Sequence, residues 1–296
     1  MSRSDDGDAA EPRCRDGHYL VRDGLRLHYR DYAGSADRPP LLCLPGLTRN
    51  ARDFEDFAAL RSPRYRVLVL EFRGRGESEY DPLPARYLPL TYVGDVLEFL
   101  DQLSIPQAIF VGTSLGGLVT MGLAVMSPDR IAAAILNDVG PDLSKVGLDR
   151  IRSYVGMDQR FASWDEAAEV IARNNNHSPA SYTHADWVRM AHRNCREANG
   201  EIVFDYDPAI AEPFRTEVPT PQLDMWPLFN ALARKPLLVI RGELSDLLTA
   251  ASAERMRQAA PDAAFAVVPG VGHAPELTEP EAVAAIDEFL RRIDGA

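Results

Sequence analysis

Apolar residues in this chain come in short unbroken runs separated by segments with a helical period. Leu41 to Leu44, Val67 to Phe72, Ala108 to Gly112, Ala132 to Asn137, Leu237 to Arg241 and Phe265 to Val268 are short and rich in aliphatic side chains, as strands buried on both faces must be. Tyr19 to Arg22 and Leu25 to Tyr32, joined through Asp23-Gly24, predict an opening antiparallel hairpin. Asp53 to Leu60, Thr91 to Leu103, Leu115 to Met126, Ala250 to Ala259 and Pro280 to Ile293 predict helices. The last puts Val283, Ile286, Phe289, Leu290 and Ile293 on one face, with Thr278 and Glu281 spaced as a capping box ahead of it. Strand and helix patterns that alternate in this way predict an α/β fold around a mostly parallel sheet of eight strands.

Residues 140–229 break the alternation. They hold two helical patterns, Trp164 to Arg173 and Ala185 to Glu197, and a proline-rich stretch from Asp207 to Pro227, with no strand suited to the central sheet. An insertion too long for a loop and poor in strands predicts a helical lid between the sixth and seventh strands. The core then comprises residues 16–139 and 230–296. Residues 1–15 are charged, lack an apolar segment and predict a disordered leader rather than a signal peptide.

Composition narrows the function. A chain of 296 residues with 46% hydrophobic and 26% charged residues has the balance of a soluble globular domain, and its formal charge of −12 argues against a nucleic-acid partner or an anionic membrane surface. No apolar run approaches the ~20 residues of a membrane span. The three cysteines, Cys14, Cys43 and Cys195, are far apart and show no metal-ligand spacing, which predicts reduced thiols, a cytoplasmic location and no metal site.

Chemistry enters at Gly112-Thr113-Ser114-Leu115-Gly116-Gly117. A G-x-S-x-G between a strand and a helix is a turn so sharp that the serine hydroxyl stands clear of the backbone, and glycine is needed where strand and helix converge. Such a serine needs a base. Of six histidines, His18 and His28 fall on the hairpin, and His177, His184 and His192 in polar segments of the insertion. His273, in the glycine-rich loop Pro269 to Glu276 after the last strand, lies at the carboxyl end of the sheet, where reactive groups of α/β folds gather. The base in turn needs a carboxylate. Asp246 follows the seventh strand and gives the chain order Ser114, Asp246, His273; Asp138, ending the sixth strand, is the second choice and Glu243 a third. Backbone N–H groups of Leu115, next to the serine, and Leu47, in Pro45 to Asn50, are placed to hold an oxyanion.

Elbow, acid loop, histidine loop and insertion position together resemble the α/β-hydrolase superfamily, of the lid-bearing type, from about His18 to Ile293. The resemblance implies Ser114 as nucleophile, Asp246 as acid, His273 as base, and Leu47 and Leu115 at the oxyanion hole. Glu71-Phe72-Arg73-Gly74-Arg75-Gly76-Glu77-Ser78 is similar to the family's D-x-R-G-x-G-x-S loop with glutamate for aspartate, and Pro45-Gly46 stands where many members carry His-Gly. A serine at the elbow excludes the epoxide hydrolase and haloalkane dehalogenase subclasses, which use aspartate there.

These features predict a serine hydrolase of a small or medium carboxylic ester or lactone, working on a small-molecule acyl substrate without metal or organic cofactor. Two alternatives stay open: a carbon–carbon bond hydrolase of the meta-cleavage-product type, and a ligand sensor with slow turnover. Arg49, Trp187, Met225 and Trp226, with Phe204, are the candidate walls of the substrate pocket.

Overall fold

The computed structural model describes residues 14–175, 182–215 and 224–295. Eight strands form one sheet: β1 (Cys14–Leu20), β2 (Arg26–Tyr32), β3 (Leu41–Leu44), β4 (Val67–Leu70), β5 (Ala108–Thr113), β6 (Ile131–Asn137), β10 (Leu237–Gly242) and β11 (Ala264–Val268). Their order is β1-β2-β4-β3-β5-β6-β10-β11. β1 and β2 pair antiparallel, as do β2 and β4, and the rest of the sheet is parallel. The hairpin begins earlier than the pattern implies: Cys14 and Arg15, assigned to the leader, pair with Tyr32 and Asp31.

Both faces are covered, which is why the inner strands are apolar throughout. Leu42, Leu44, Leu68, Phe110, Leu136 and Val239 face one core, while Leu41, Cys43, Val69, Val111, Ile135 and Ile240 face the other. The first core receives α2 (Pro89–Gln102), α3 (Leu115–Met126), α8 (Trp226–Leu232) and Met256 of α9 (Ala250–Ala259). The second receives Phe57 of α1 (Glu55–Arg61) and Ile286 and Phe289 of α10 (Pro280–Asp294). α10 starts without the expected capping box. Its N-cap is Glu279, whose carboxylate instead accepts the N–H of Glu276 at 2.8 Å, while Leu277 takes a positive φ that turns the chain one residue later.

Between β6 and β10 the chain leaves the sheet. It forms α4 (Lys145–Tyr154), α5 (Trp164–Asn174), α6 (His184–Asn194) and α7 (Glu212–Arg215). Contrary to the all-helical expectation, it also builds a three-stranded sheet from β7 (Arg160–Phe161), β8 (Cys195–Ala198) and β9 (Glu201–Phe204). The helix expected to run to Glu197 stops at Asn194 because Cys195–Ala198 pairs antiparallel with β9 around the Asn199-Gly200 turn, where both residues have positive φ. Part of the proline-rich stretch, residues 216–223, lies outside the described residues.

Candidate active site

β3 is hydrogen-bonded to β4 on one side and β5 on the other, so the chain winds outward in both directions from the β3–β5 crevice. Loops leaving the carboxyl ends of such neighbours diverge and open a cleft. Pro45 to Asn50 leaves β3 there, and Ser114 leaves β5. Ser114 has φ +52° and ψ −113°, a conformation that a non-glycine residue adopts only at a cost. The flanking glycines make it reachable: a Cβ on Gly116 would lie 2.0 Å from the carbonyl oxygen of Leu44, and one on Gly112 would lie 2.6 Å from the backbone of Gly116.

The His273 imidazole, 9% exposed, bridges two partners. Nε2 lies 3.0 Å from Ser114 Oγ, and Nδ1 lies 2.7 Å from Asp138 Oδ2. A carboxylate only accepts, so Nδ1 carries the proton and Nε2 is left to accept from the serine. The sequence order suggested Asp246 for this carboxylate, and the structure places Asp138 there instead. Asp138 follows β6 directly with φ +55°, its carboxylate is fully buried, and Oδ1 accepts the N–H of Gly242 at 2.9 Å. Asp246 is drawn away by a two-pronged pair with Arg150 of α4, at 2.5 and 2.8 Å. The Arg150 hydrogen bond holds the Asp246 carboxyl below its ordinary range, against the opposing effect of partial burial. Glu243 contacts neither residue; it accepts the N–H of Gly270 at 2.8 Å.

Leu47 sits in the loop opposite Ser114, and Leu115 is the first residue of α3, so its N–H has no carbonyl one turn earlier to bond. The E-x-R-G-x-G-x-S segment holds this loop. Fully buried Arg75 donates through Nε to the Leu47 carbonyl at 2.8 Å and through Nη1 to the Arg73 carbonyl at 2.6 Å. Glu71 accepts the N–H of Ala51 at 2.9 Å and of Glu77 at 2.7 Å. The same carboxylate meets His28, whose Nδ1 is 2.9 Å from Glu71 Oε2 and whose Nε2 is 2.9 Å from Asp16. The loop from Pro45 to Asn50 is thus braced by Arg75, and the residue after it, Ala51, by Glu71.

A cavity of about 150 Å³ opens on Ser114 and His273. Arg49 lines it, as expected, but its Nε and Nη2 are both held by Asp53 at 2.6 Å. Trp187, Met225 and Trp226 do not line it. Trp187 packs on Tyr182 and the small core under α5 and α6, and Trp226 donates to Asp142 at 3.0 Å and packs on Phe229. Phe204 does reach the cavity, together with Ile151, Tyr154, Asn174, Arg193, Asn194 and Tyr206 of the same insertion. These residues carry no motif, and only the folding of α4 to β9 over the sheet brings them together. Burial pushes the Tyr206 phenol up to about 12, so the cavity holds it as a neutral hydroxyl.

Residues 41–286 match the model of the alpha/beta hydrolase family. The chain belongs to this family. As an alpha/beta hydrolase it is 32% identical over 291 residues to the 3-hydroxybutyrate-oligomer hydrolase of Cupriavidus necator, covering 95% of this chain and 99% of that relative. It is 27% identical to the 2-(acetamidomethylene)succinate hydrolase of Mesorhizobium japonicum, over 85% of this chain and 88% of the relative. Among solved structures, an alpha/beta hydrolase from Novosphingobium aromaticivorans matches with a TM-score of 0.90 and 49% identity, over 95% of this chain and 99% of that one. No helix among the described residues of this alpha/beta hydrolase is long and apolar enough to cross a membrane.

Proposed function

We propose that the protein is a serine hydrolase that cleaves a short, oxygen-rich carboxylic ester through an acyl-enzyme. The observation that carries this reading is the unbroken chain from Ser114 Oγ to His273 Nε2 and from His273 Nδ1 to Asp138 Oδ2, at 3.0 and 2.7 Å. Ser114 attacks the ester carbonyl as His273 takes its proton, and Asp138 stabilises the resulting imidazolium. The N–H groups of Leu47 and Leu115 receive the oxyanion. His273 then protonates the departing alcohol, and a water activated by the same imidazole releases the acid.

Size and lining support the substrate class. A cavity of about 150 Å³ that sets Asn174, Asn194, Tyr154 and Tyr206 among apolar walls of Phe54, Ile151, Ile171 and Phe204 suits a short ester carrying a polar group. The name of the Cupriavidus relative, a 3-hydroxybutyrate-oligomer hydrolase, agrees, since units of 3-hydroxybutyrate join through ester bonds. Residues 140–229 act as the lid in this reading, because Ile151, Asn174, Arg193 and Phe204 share one cavity with Ser114. The test is Ser114→Ala. Its turnover of p-nitrophenyl acetate is expected to fall by about 10⁶-fold with an unchanged melting temperature, and labelling by a fluorophosphonate should vanish. Near-native hydrolysis by the folded variant would end the proposal.

A further inference from the structure

We propose that Ser245 is a positioning residue of the triad: its hydroxyl donates to the same Asp138 oxygen that receives His273 and so sets how strongly that carboxylate supports the imidazolium. The inference rests on the hydrolase reading above for its role in turnover, but not for its geometry.

Ser245 Oγ lies 2.6 Å from Asp138 Oδ2, slightly closer than His273 Nδ1 at 2.7 Å. A serine hydroxyl has one proton and two lone pairs. Both lone pairs face backbone donors, the N–H of Leu248 at 3.1 Å and of Leu247 at 3.3 Å. The proton therefore has Asp138 as its acceptor, and its direction is fixed by the surrounding backbone. The turn itself is held in place. Ser245 donates its N–H to the Gly242 carbonyl at 3.0 Å, Gly242 donates to Asp138 Oδ1, and a Cβ on Gly242 would lie 2.3 Å from the Gly272 carbonyl oxygen. The loop after β10, where the acid was expected, thus wraps a donor pair around an acid supplied by β6.

Ser245 stabilises the Asp138 anion and draws charge from the oxygen facing His273. Removing the hydroxyl leaves Oδ2 to the imidazole alone, strengthens that bond and raises the proton affinity of His273. Other charges around His273 stay in place in such a variant: Asp246 with its Arg150 partner, Glu276 on the histidine loop, the Arg49–Asp53 pair, Arg193, and the phenols of Tyr154 and Tyr206.

The experiment titrates His273 by NMR in the unliganded full chain, with the resonance assigned through His273→Gln, and compares it with the acid limb of kcat/KM for p-nitrophenyl acetate. Ser245→Ala is expected to raise the His273 pKa and to move the acid limb upward, each by roughly half a unit to one unit. Ser245→Thr, which keeps the hydroxyl, should restore both. If Ser245→Ala does not fold, Ser245→Cys, a weak donor, replaces it and should show the upward shift. An alanine or cysteine variant that folds, loses activity and leaves the His273 pKa at the wild-type value would overturn the proposal, because a purely structural role predicts that result. Failure of the hydrolase reading shows separately, as a wild-type chain that neither turns over esters nor takes a fluorophosphonate, and the NMR titration still decides the role of Ser245.

Discussion

At the smallest scale, the proposed chemistry turns on Asp138. Its two oxygens accept from Gly242, Ser245 and His273, and nothing of the carboxylate is exposed. Asp138→Asn keeps the shape but presents an amide that can donate to Nδ1, reversing the tautomer that His273 needs. Its kcat/KM for p-nitrophenyl acetate is expected to fall by about 10³–10⁴-fold. Asp246→Asn removes a charge that is spent on Arg150, at the rim of the site, and should cost less than about 10-fold. Equal losses in the two variants would reject the assignment. Ser114 and His273, the proposed nucleophile and base, could be singled out because each sits in a glycine-bearing motif, which marks a backbone feature. The acid has no such mark. Asp138 and Asp246 both follow strands near the right edge, and the choice between them was made by Arg150, 96 positions from Asp246 along the chain.

At the scale of elements, the strands and flanking helices could be read because burial on both faces forces continuous apolar runs. The small sheet of β7, β8 and β9 could not, since strands of two to four residues impose no period. Nor could the linkage between the hairpin and the catalytic loop. His28 of β2 has carboxylates on both ring nitrogens, so both carry protons and the ring is an imidazolium. Burial alone would lower its pKa, but the hydrogen bond and charge of Glu71, joined by Asp16, outweigh it and raise the value above 6.5. Burial likewise favours the neutral form of Glu71, yet His28 and the N–H groups of Ala51 and Glu77 hold it below 4.5. The His28 contribution to stability is complete below the unfolded pKa and is lost as pH rises through the raised folded value. That of Glu71 is present above its unfolded pKa and lost as pH falls through the depressed one. The wild-type melting temperature is therefore expected to decline as pH is raised from 6.5 toward 9. His28→Gln should melt lower at pH 6 and lack that decline, as followed by calorimetry across the pH series. Identical slopes in the two proteins would show that the pair is not an ion pair.

For the whole molecule, the dimensions of the cavity depend on how firmly the insertion is held to the sheet. Arg150 pairs with Asp246, Arg52 with Asp205, and Arg193 with Asp56, while the Arg193 carbonyl accepts from Asn50 of the loop after β3 at 2.9 Å. These contacts tie α4, α6 and the chain after β9 to two separate core segments, the loop after β10 and residues 50–56, so the wall formed by Ile171, Asn194 and Phe204 has little room to retreat from Ser114. At about 150 Å³ the cavity matches one known to take up a molecule of about benzene's size, which is that of a short acyl group. Across p-nitrophenyl esters, kcat/KM is expected to be highest for acetate to butyrate and to fall at least about 10-fold by octanoate, since overfilling a packed site is as costly as leaving it empty. Phe204→Ala should move that optimum to longer chains, because Phe204 lines the cavity and its removal leaves the triad untouched. A 3-hydroxybutyryl ester should outrun the butyryl ester of the same alcohol, as Asn174, Asn194, Tyr154 and Tyr206 in the mixed lining offer partners to a substrate hydroxyl that an alkyl chain lacks. A wild-type enzyme that prefers dodecanoate would show that the insertion lifts away from the sheet, and that the ion pairs joining the two do not govern what enters.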